Sequence, residues 1–139
     1  MLKRRALATA AIAAVLVAGS ASTAFAGGNW DYGTSRTVLS NGDLYTNIEY
    51  DSTGEEMPNG SLYWQLTDSY DKTSGGTISL EFGFNYHGYS YGSNWQSESA
   101  GGKNAMTFHA LGFVDCDDID GWMAVSGQNT FMNAPVTTC

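Results

Sequence analysis

In the stretch ISLEFGFNY, residues 78–86, every second side chain is large: Ile78, Leu80, Phe82, Phe84 and Tyr86. Ser79, Glu81, Gly83 and Asn85 occupy the positions between them. A strand points successive side chains to opposite faces, so this spacing builds one apolar and one polar face, a pattern that does not fit a helix. Two shorter runs repeat it. Leu44, Thr46, Ile48 and Tyr50 alternate with Tyr45, Asn47 and Glu49, and Leu62, Trp64 and Leu66 with Tyr63, Gln65 and Thr67. Turn formers separate the runs: SNGD at 40–43, MPNG at 57–60, SGG at 74–76 and AGG at 100–102. The runs at 44–50 and 61–67, joined through TGEEMPNG, predict a hairpin with a long loop. AMTFHALGFVDC carries apolar residues in both phases, which predicts a central strand or one packed between layers, and GWMAV supplies a further short strand. There is no internal repeat. The chain therefore predicts an all-β domain, a small antiparallel β-sandwich or barrel of six to seven strands.

The N-terminus follows another logic. Lys3, Arg4 and Arg5 precede a small, apolar run from Ala6 to Ala18, and Ala24-Phe25-Ala26 forms an A-x-A cleavage site. That is the plan of a secretory signal peptide, with an apolar run too short to span a bilayer. Nothing after Ala26 resembles a stop-transfer helix, which weighs against a retained anchor. The division is a signal peptide at 1–26 and one secreted β domain at 27–139. Export leaves Arg36, Lys72 and Lys103 as the basic residues against fourteen acidic ones. Such a surface repels phosphate backbones and anionic lipid, arguing against nucleic acid as a partner and against stable membrane insertion. Cys116 and Cys139 are the only cysteines. In an oxidising compartment an isolated pair forms one disulfide, and no Cys/His cluster points to a thiol nucleophile or metal ligation instead.

Candidate chemistry is sparse. VDCDDIDGW places Asp115, Asp117, Asp118 and Asp120 ahead of a glycine, a density of hard oxygens that can hold Ca²⁺. Counted from Asp115, however, the fifth and sixth positions are Ile119 and Asp120, where a calcium loop of the EF-hand type needs an acid and then glycine. The expectation is a solvated acidic turn, with no metal and no cofactor. His87 and His109 are the only side chains that titrate near neutrality, and no nucleophile elbow, zinc helix or phosphate loop accompanies them. The chain is read as a non-enzyme. FGFNYHGYSYGSNW is rich in rings: Phe82, Phe84 and Tyr86 are expected in the core, while Tyr89, Tyr91 and Trp95, beyond Gly88 on a turn or on the other face, are candidate ligand-binding residues. Rings beside Asn85, Asn94 and Gln96 suit sugars, whose C–H faces pack on aromatics while amides bind hydroxyls.

The segment after the cleavage site, GGNWDYGTSRTVLSN, resembles the start of mature bacteriocins of the lactococcin family. Gly27, Gly28, Trp30, Tyr32 and Gly33 match a Gly-Gly-x-Trp-x-Tyr-Gly motif, and Ser40-Asn41 the Ser-Asn pair that follows it. The resemblance implies a small secreted β-sandwich that binds the lipid-linked cell-wall precursor and blocks septum formation. Trp30 and Tyr32 join the candidate ligand-binding residues; alternatively they share one face of an edge strand and pack the core. The function expected is bacteriocin-like action on a cell-envelope component. The alternative is a binding or structural module for extracellular polysaccharide.

Overall fold

The structure, a computed structural model, describes residues 33–139. The signal peptide expected at 1–26 and the candidates Trp30 and Tyr32 lie outside the described residues. Among those described there is no helix. Nine strands form: β1 (Thr34–Leu39), β2 (Gly42–Tyr50), β3 (Trp64–Lys72), β4 (Ile78–Tyr86), β5 (Tyr89–Gly92), β6 (Gln96–Glu98), β7 (Lys103–Leu111), β8 (Asp120–Val125) and β9 (Phe131–Met132). They build two antiparallel sheets that pack as a sandwich and do not close into a barrel. One sheet runs β1-β2-β3-β7; in the other, β4 has β8 and then β9 on one side, and β5 and β6 in line on the other. The count exceeds six or seven because β6 and β9 are three and two residues long, too short to leave a periodic signature.

The alternation read from the sequence is the alternation of burial. Leu44, Thr46 and Ile48 of β2 and Leu80, Phe82 and Phe84 of β4 all face inward. The hairpin between β2 and β3 forms with Ile48 opposite Leu66 and Tyr50 opposite Trp64. Its second strand is displaced from the expected 61–67: Leu62 makes only an isolated bridge to Glu56, and pairing continues through Lys72. Asp68 and Lys72 hid this extension, since both are buried on the inner face despite their charge.

The segment expected to be central or sandwiched is instead an edge strand, β7. Its two-phase apolar pattern has a local cause. Leu66 pairs with Phe108 but Trp64 with Leu111, so β7 carries one extra residue there, a β-bulge, with Ala110 at φ 55°. The insertion reverses the side-chain phase. Phe108 before it and Leu111 after it therefore both pack on the same core.

That core has two halves. Leu44, Tyr70, Leu80, Phe82, Met123 and Val125 form one; Ile48, Trp64, Leu66, Phe84, Phe113, Ile119 and Val136 form the other. Between Leu44 and Ile48 on β2, and between Leu66 and Tyr70 on β3, lie the buried Thr46 and Asp68. Thr46 Oγ1 donates to Asp68 Oδ1 at 2.6 Å and accepts from Asn133 Nδ2 at 2.7 Å, forming a polar belt between the halves. Gly121 of β8 faces this belt, and a Cβ there would overlap Thr46 Oγ1 and Asp68 Oδ1.

Candidate functional site

The second half of the core reaches the surface as aromatic recesses. Tyr86, His87, Gly88 and Tyr89 form a two-residue hairpin turn, with φ of 50° at His87 and 77° at Gly88, as a type I′ turn requires. The turn sets Tyr89 opposite Tyr86 and Tyr91 opposite Phe84. Cross-strand partners share a face. Tyr89 and Tyr91 thus sit neither on a turn nor on the outer face, but on edge strand β5, continuing the inner face beyond the core. Tyr91 stacks on the buried Phe84 at 4.8 Å between ring centres, while staying 46 % exposed. Tyr89 is exposed more fully.

The opposite sheet repeats the device. Tyr50 stacks on the buried Trp64 at 4.4 Å and is itself exposed. A recess of about 240 Å³ opens between edge strands β5 and β7, lined by Phe84, Tyr86, Tyr91, Ala110, Leu111, Gly112 and Phe113. A larger one, about 500 Å³, is lined by Tyr50, Met57, Leu62, Trp64, Phe113 and Val114, with Asn59, Ser61, Asp115 and Thr138 as polar groups and the disulfide at its wall. Phe113 lines both, standing edge-on to Phe84 and Tyr86. Tyr50 was not among the sequence candidates. Its one signal was its place at the end of the Leu44–Tyr50 alternation, where the face runs out past the core.

Trp95 does not line the β5/β7 recess. It projects from the excursion between β5 and β6, where Ser93 donates its N–H to Phe82 O at 2.8 Å and accepts the Phe82 N–H on Oγ at 3.0 Å. Asn85, read as a sugar-binding amide beside the rings, faces the other way. Its Oδ1 accepts from Trp122 Nε1 at 3.2 Å on the outer side of the sheet, where the Trp122 ring covers Gly83 so closely that a Cβ would overlap it. The polar groups beside the exposed rings come instead from the 59–61 loop and from Thr138.

Asp51 holds the bulge that shapes the smaller recess. Its buried carboxylate accepts the Ala110 N–H at 2.6 Å and the Thr53 N–H at 3.0 Å, and lies 3.3 Å from His109 Nδ1. Those contacts, the Ala110 amide foremost and the Thr53 amide next, outweigh burial and hold its pKa down to about 2. The carboxylate is thereby committed to the backbone. Both histidines meet carboxylates: His109 lies against Asp51, and His87 against Asp115 and Asp117.

The loop before β8 is fixed by the Cys116–Cys139 disulfide, with Cα atoms 5.2 Å apart, as the cysteine count implied. Thr138 Oγ1 donates to Asp115 O at 2.7 Å, and Thr137 Oγ1 to Cys116 O at 3.2 Å. The acidic turn is only partly a solvated one. Asp115 Oδ1 accepts from the Tyr86 hydroxyl at 3.0 Å, and Asp115 and Asp117 both reach His87. Burial raises the Asp115 pKa, but the Tyr86 hydroxyl, the Asp117 amide and His87 together leave it below the usual value. No family model, curated protein or solved structure matches this chain.

Proposed function

We propose that the mature chain is a secreted, non-enzymatic binding protein that acts on other bacteria at the cell envelope in the manner of a bacteriocin. The observation that carries the binding reading is the pair of exposed tyrosines, Tyr50 and Tyr91, each stacked on a buried ring and flanking recesses that meet at Phe113. Backing by a core ring fixes an exposed ring before any ligand arrives, which lowers the ordering cost of binding. The signal segment and disulfide support export, and the resemblance of residues 27–41 to lactococcin-type bacteriocins supports the envelope as the place of action. A second reading, a polysaccharide-binding module, rests on the hydroxyl and amide groups of Asn59, Ser61 and Thr138 beside the same rings.

The test applies purified mature protein to growing bacteria and, in parallel, to a glycan array. Growth inhibition with septation defects, lost in Tyr91→Ala, is the expected result. Sugar binding without inhibition transfers the site to the second reading. Inhibition that persists in both Tyr50→Ala and Tyr91→Ala would mean that the target is met elsewhere on the molecule.

A further inference from the structure

We propose that His87, Asp115 and Asp117 form a binding site for a divalent transition-metal ion of the zinc class. The three residues come from two segments, the β4–β5 turn and the disulfide-anchored loop before β8. His87 Nε2 lies 2.9 Å from Asp115 Oδ2 and 2.6 Å from Asp117 Oδ2, and the three donor atoms all fall within 4.8 Å of one another. One imidazole nitrogen carries at most one hydrogen, yet two carboxylate oxygens converge on it. A dication at the shared point satisfies all three donors and removes the repulsion between the two anions. Bonds of about 2.0–2.2 Å are reached from this starting geometry by small side-chain adjustments.

The supporting contacts point the same way. The Tyr86 hydroxyl and the Asp117 N–H occupy Asp115 Oδ1, which leaves Oδ2 for the shared point. Metal-binding carboxylates are characteristically oriented by such outer hydrogen bonds. The type I′ turn sets the imidazole, and the disulfide and Thr138 hold the loop.

The donor set decides the ion. Ca²⁺ and Mg²⁺ take oxygen ligands, whereas an imidazole nitrogen with two carboxylates suits Zn²⁺, with Mn²⁺ bound more weakly. Three protein ligands leave a coordination position for water or an outside donor. Asp115 also lines the larger recess, so one ligand of the triad borders it. Asp118 and Asp120 stand outside the triad, so the acidic stretch divides into two ligands and two bystanders.

The proposal is tested by isothermal titration of EDTA-treated mature protein with Zn²⁺, Mn²⁺ and Ca²⁺ at neutral pH, with circular dichroism to verify that each variant is folded. Expected is saturable one-to-one Zn²⁺ binding that Ca²⁺ does not reproduce. His87→Gln and Asp117→Asn weaken it by more than about tenfold, and Tyr86→Phe, an outer-shell change, by about tenfold. Asp118→Asn and Asp120→Asn leave it unchanged. Absence of Zn²⁺ binding overturns the proposal, as does Zn²⁺ binding that survives both His87→Gln and Asp117→Asn. Ca²⁺ binding that depends on Asp120 would overturn it in favour of an all-oxygen site. Because the readout is metal binding itself, the outcome is independent of whether the recesses bind an envelope component.

Discussion

The two halves of the core share β2, β3 and β4 and differ at their rims. On the Phe82 side, Leu39, Ile78, Met106 and Phe131 pack against the buried residues and leave a smaller recess of about 50 Å³. On the Phe84 side, the rim is two exposed tyrosines and two recesses, bounded by a bulge, a hairpin turn and a disulfide loop. Regular alternation closes a sandwich by itself. Leaving one end open takes irregular backbone held from outside the strands, by Asp51 under the bulge and by Cys116–Cys139 under the loop. On the proposed reading, the Phe82 half contributes mainly stability and the Phe84 half carries the contact surface.

The largest effect expected from breaking it is in the closed half. Phe82 is fully buried. Phe82→Ala should destabilise by about 3–5 kcal/mol through lost burial and the cavity left behind. Urea unfolding measures this, and a cost below about 1 kcal/mol would mean the site collapses and the half is not close-packed. Phe84 belongs to both roles, buried yet under Tyr91, so its truncation should lower stability and binding together.

Next is the disulfide. Joining Cys116 to Cys139 closes a loop whose entropy contribution is roughly 3 kcal/mol on the chain-entropy model. Cys139→Ser should lower stability by about that amount or less. Hydrogen exchange should rise first in the loop before β8 rather than in β2 or β4. Uniform acceleration across both sheets would show that the loop and the closed half open as one unit, and the comparison would fail.

The closed half was legible because its residues keep strict phase: Leu44, Leu80 and Phe82 could be assigned inward from spacing alone, and the disulfide from a count of two. The open half was legible only in part. Tyr91 is singled out by the sequence, but its face is not, because that depends on a His-Gly turn of two residues rather than a longer loop. Nothing in AMTFHALGF marks the bulge. Glycine would have signalled a left-handed position, but Ala110 occupies it and Asp51, far away in sequence, satisfies its amide. His87 stands well apart from Asp115 in the chain, so their meeting is a product of the fold. Trp95, which ring-rich sequence groups with the tyrosines, lies apart from them: it follows Ser93, which ends β5 by bonding the Phe82 backbone, and does not line the β5/β7 recess.

A smaller effect should appear at the rim. Tyr91→Ala removes an exposed ring and its stacking on Phe84, an interaction worth about 0.5–1.5 kcal/mol beyond area. Stability should therefore change by about 1 kcal/mol, while target binding weakens by about 2 kcal/mol if the ring is a contact hot spot. Trp95→Ala is the matched control, an equally exposed ring away from the β5/β7 recess, and it should leave binding unchanged. If Trp95→Ala weakens binding and Tyr91→Ala does not, the contact surface is the excursion between β5 and β6.

The smallest effect sharpens the boundary between the halves, through two aspartates that titrate in opposite directions. Burial raises the Asp68 pKa well above the usual carboxylate value, only partly offset by the Thr46 hydroxyl, so the fold favours its neutral form. Its contribution is complete below the unfolded pKa of about 3.9 and is lost as pH rises through the folded value. Asp51, held down to about 2 by the Ala110 and Thr53 amides, does the opposite. Its contribution is present above about pH 3.9 and is lost as pH falls toward its folded pKa. Asp68→Asn keeps an oxygen for Thr46 and cannot ionise. It also replaces Asp68 Oδ2, a buried atom without a partner, with a group that carries no charge. Stability near neutrality should therefore rise, by on the order of 1 kcal/mol, with the gain disappearing below about pH 4. Asp51→Asn should lower stability near neutrality and flatten the acid limb, because the bulge loses its carboxylate while the belt is untouched. Thermal unfolding of both variants across pH 2–8 separates the two contributions. If Asp68→Asn follows the wild-type profile without a gain at neutral pH, the belt carboxylate is already satisfied and the halves are joined by a hydrogen-bonded layer that does not titrate.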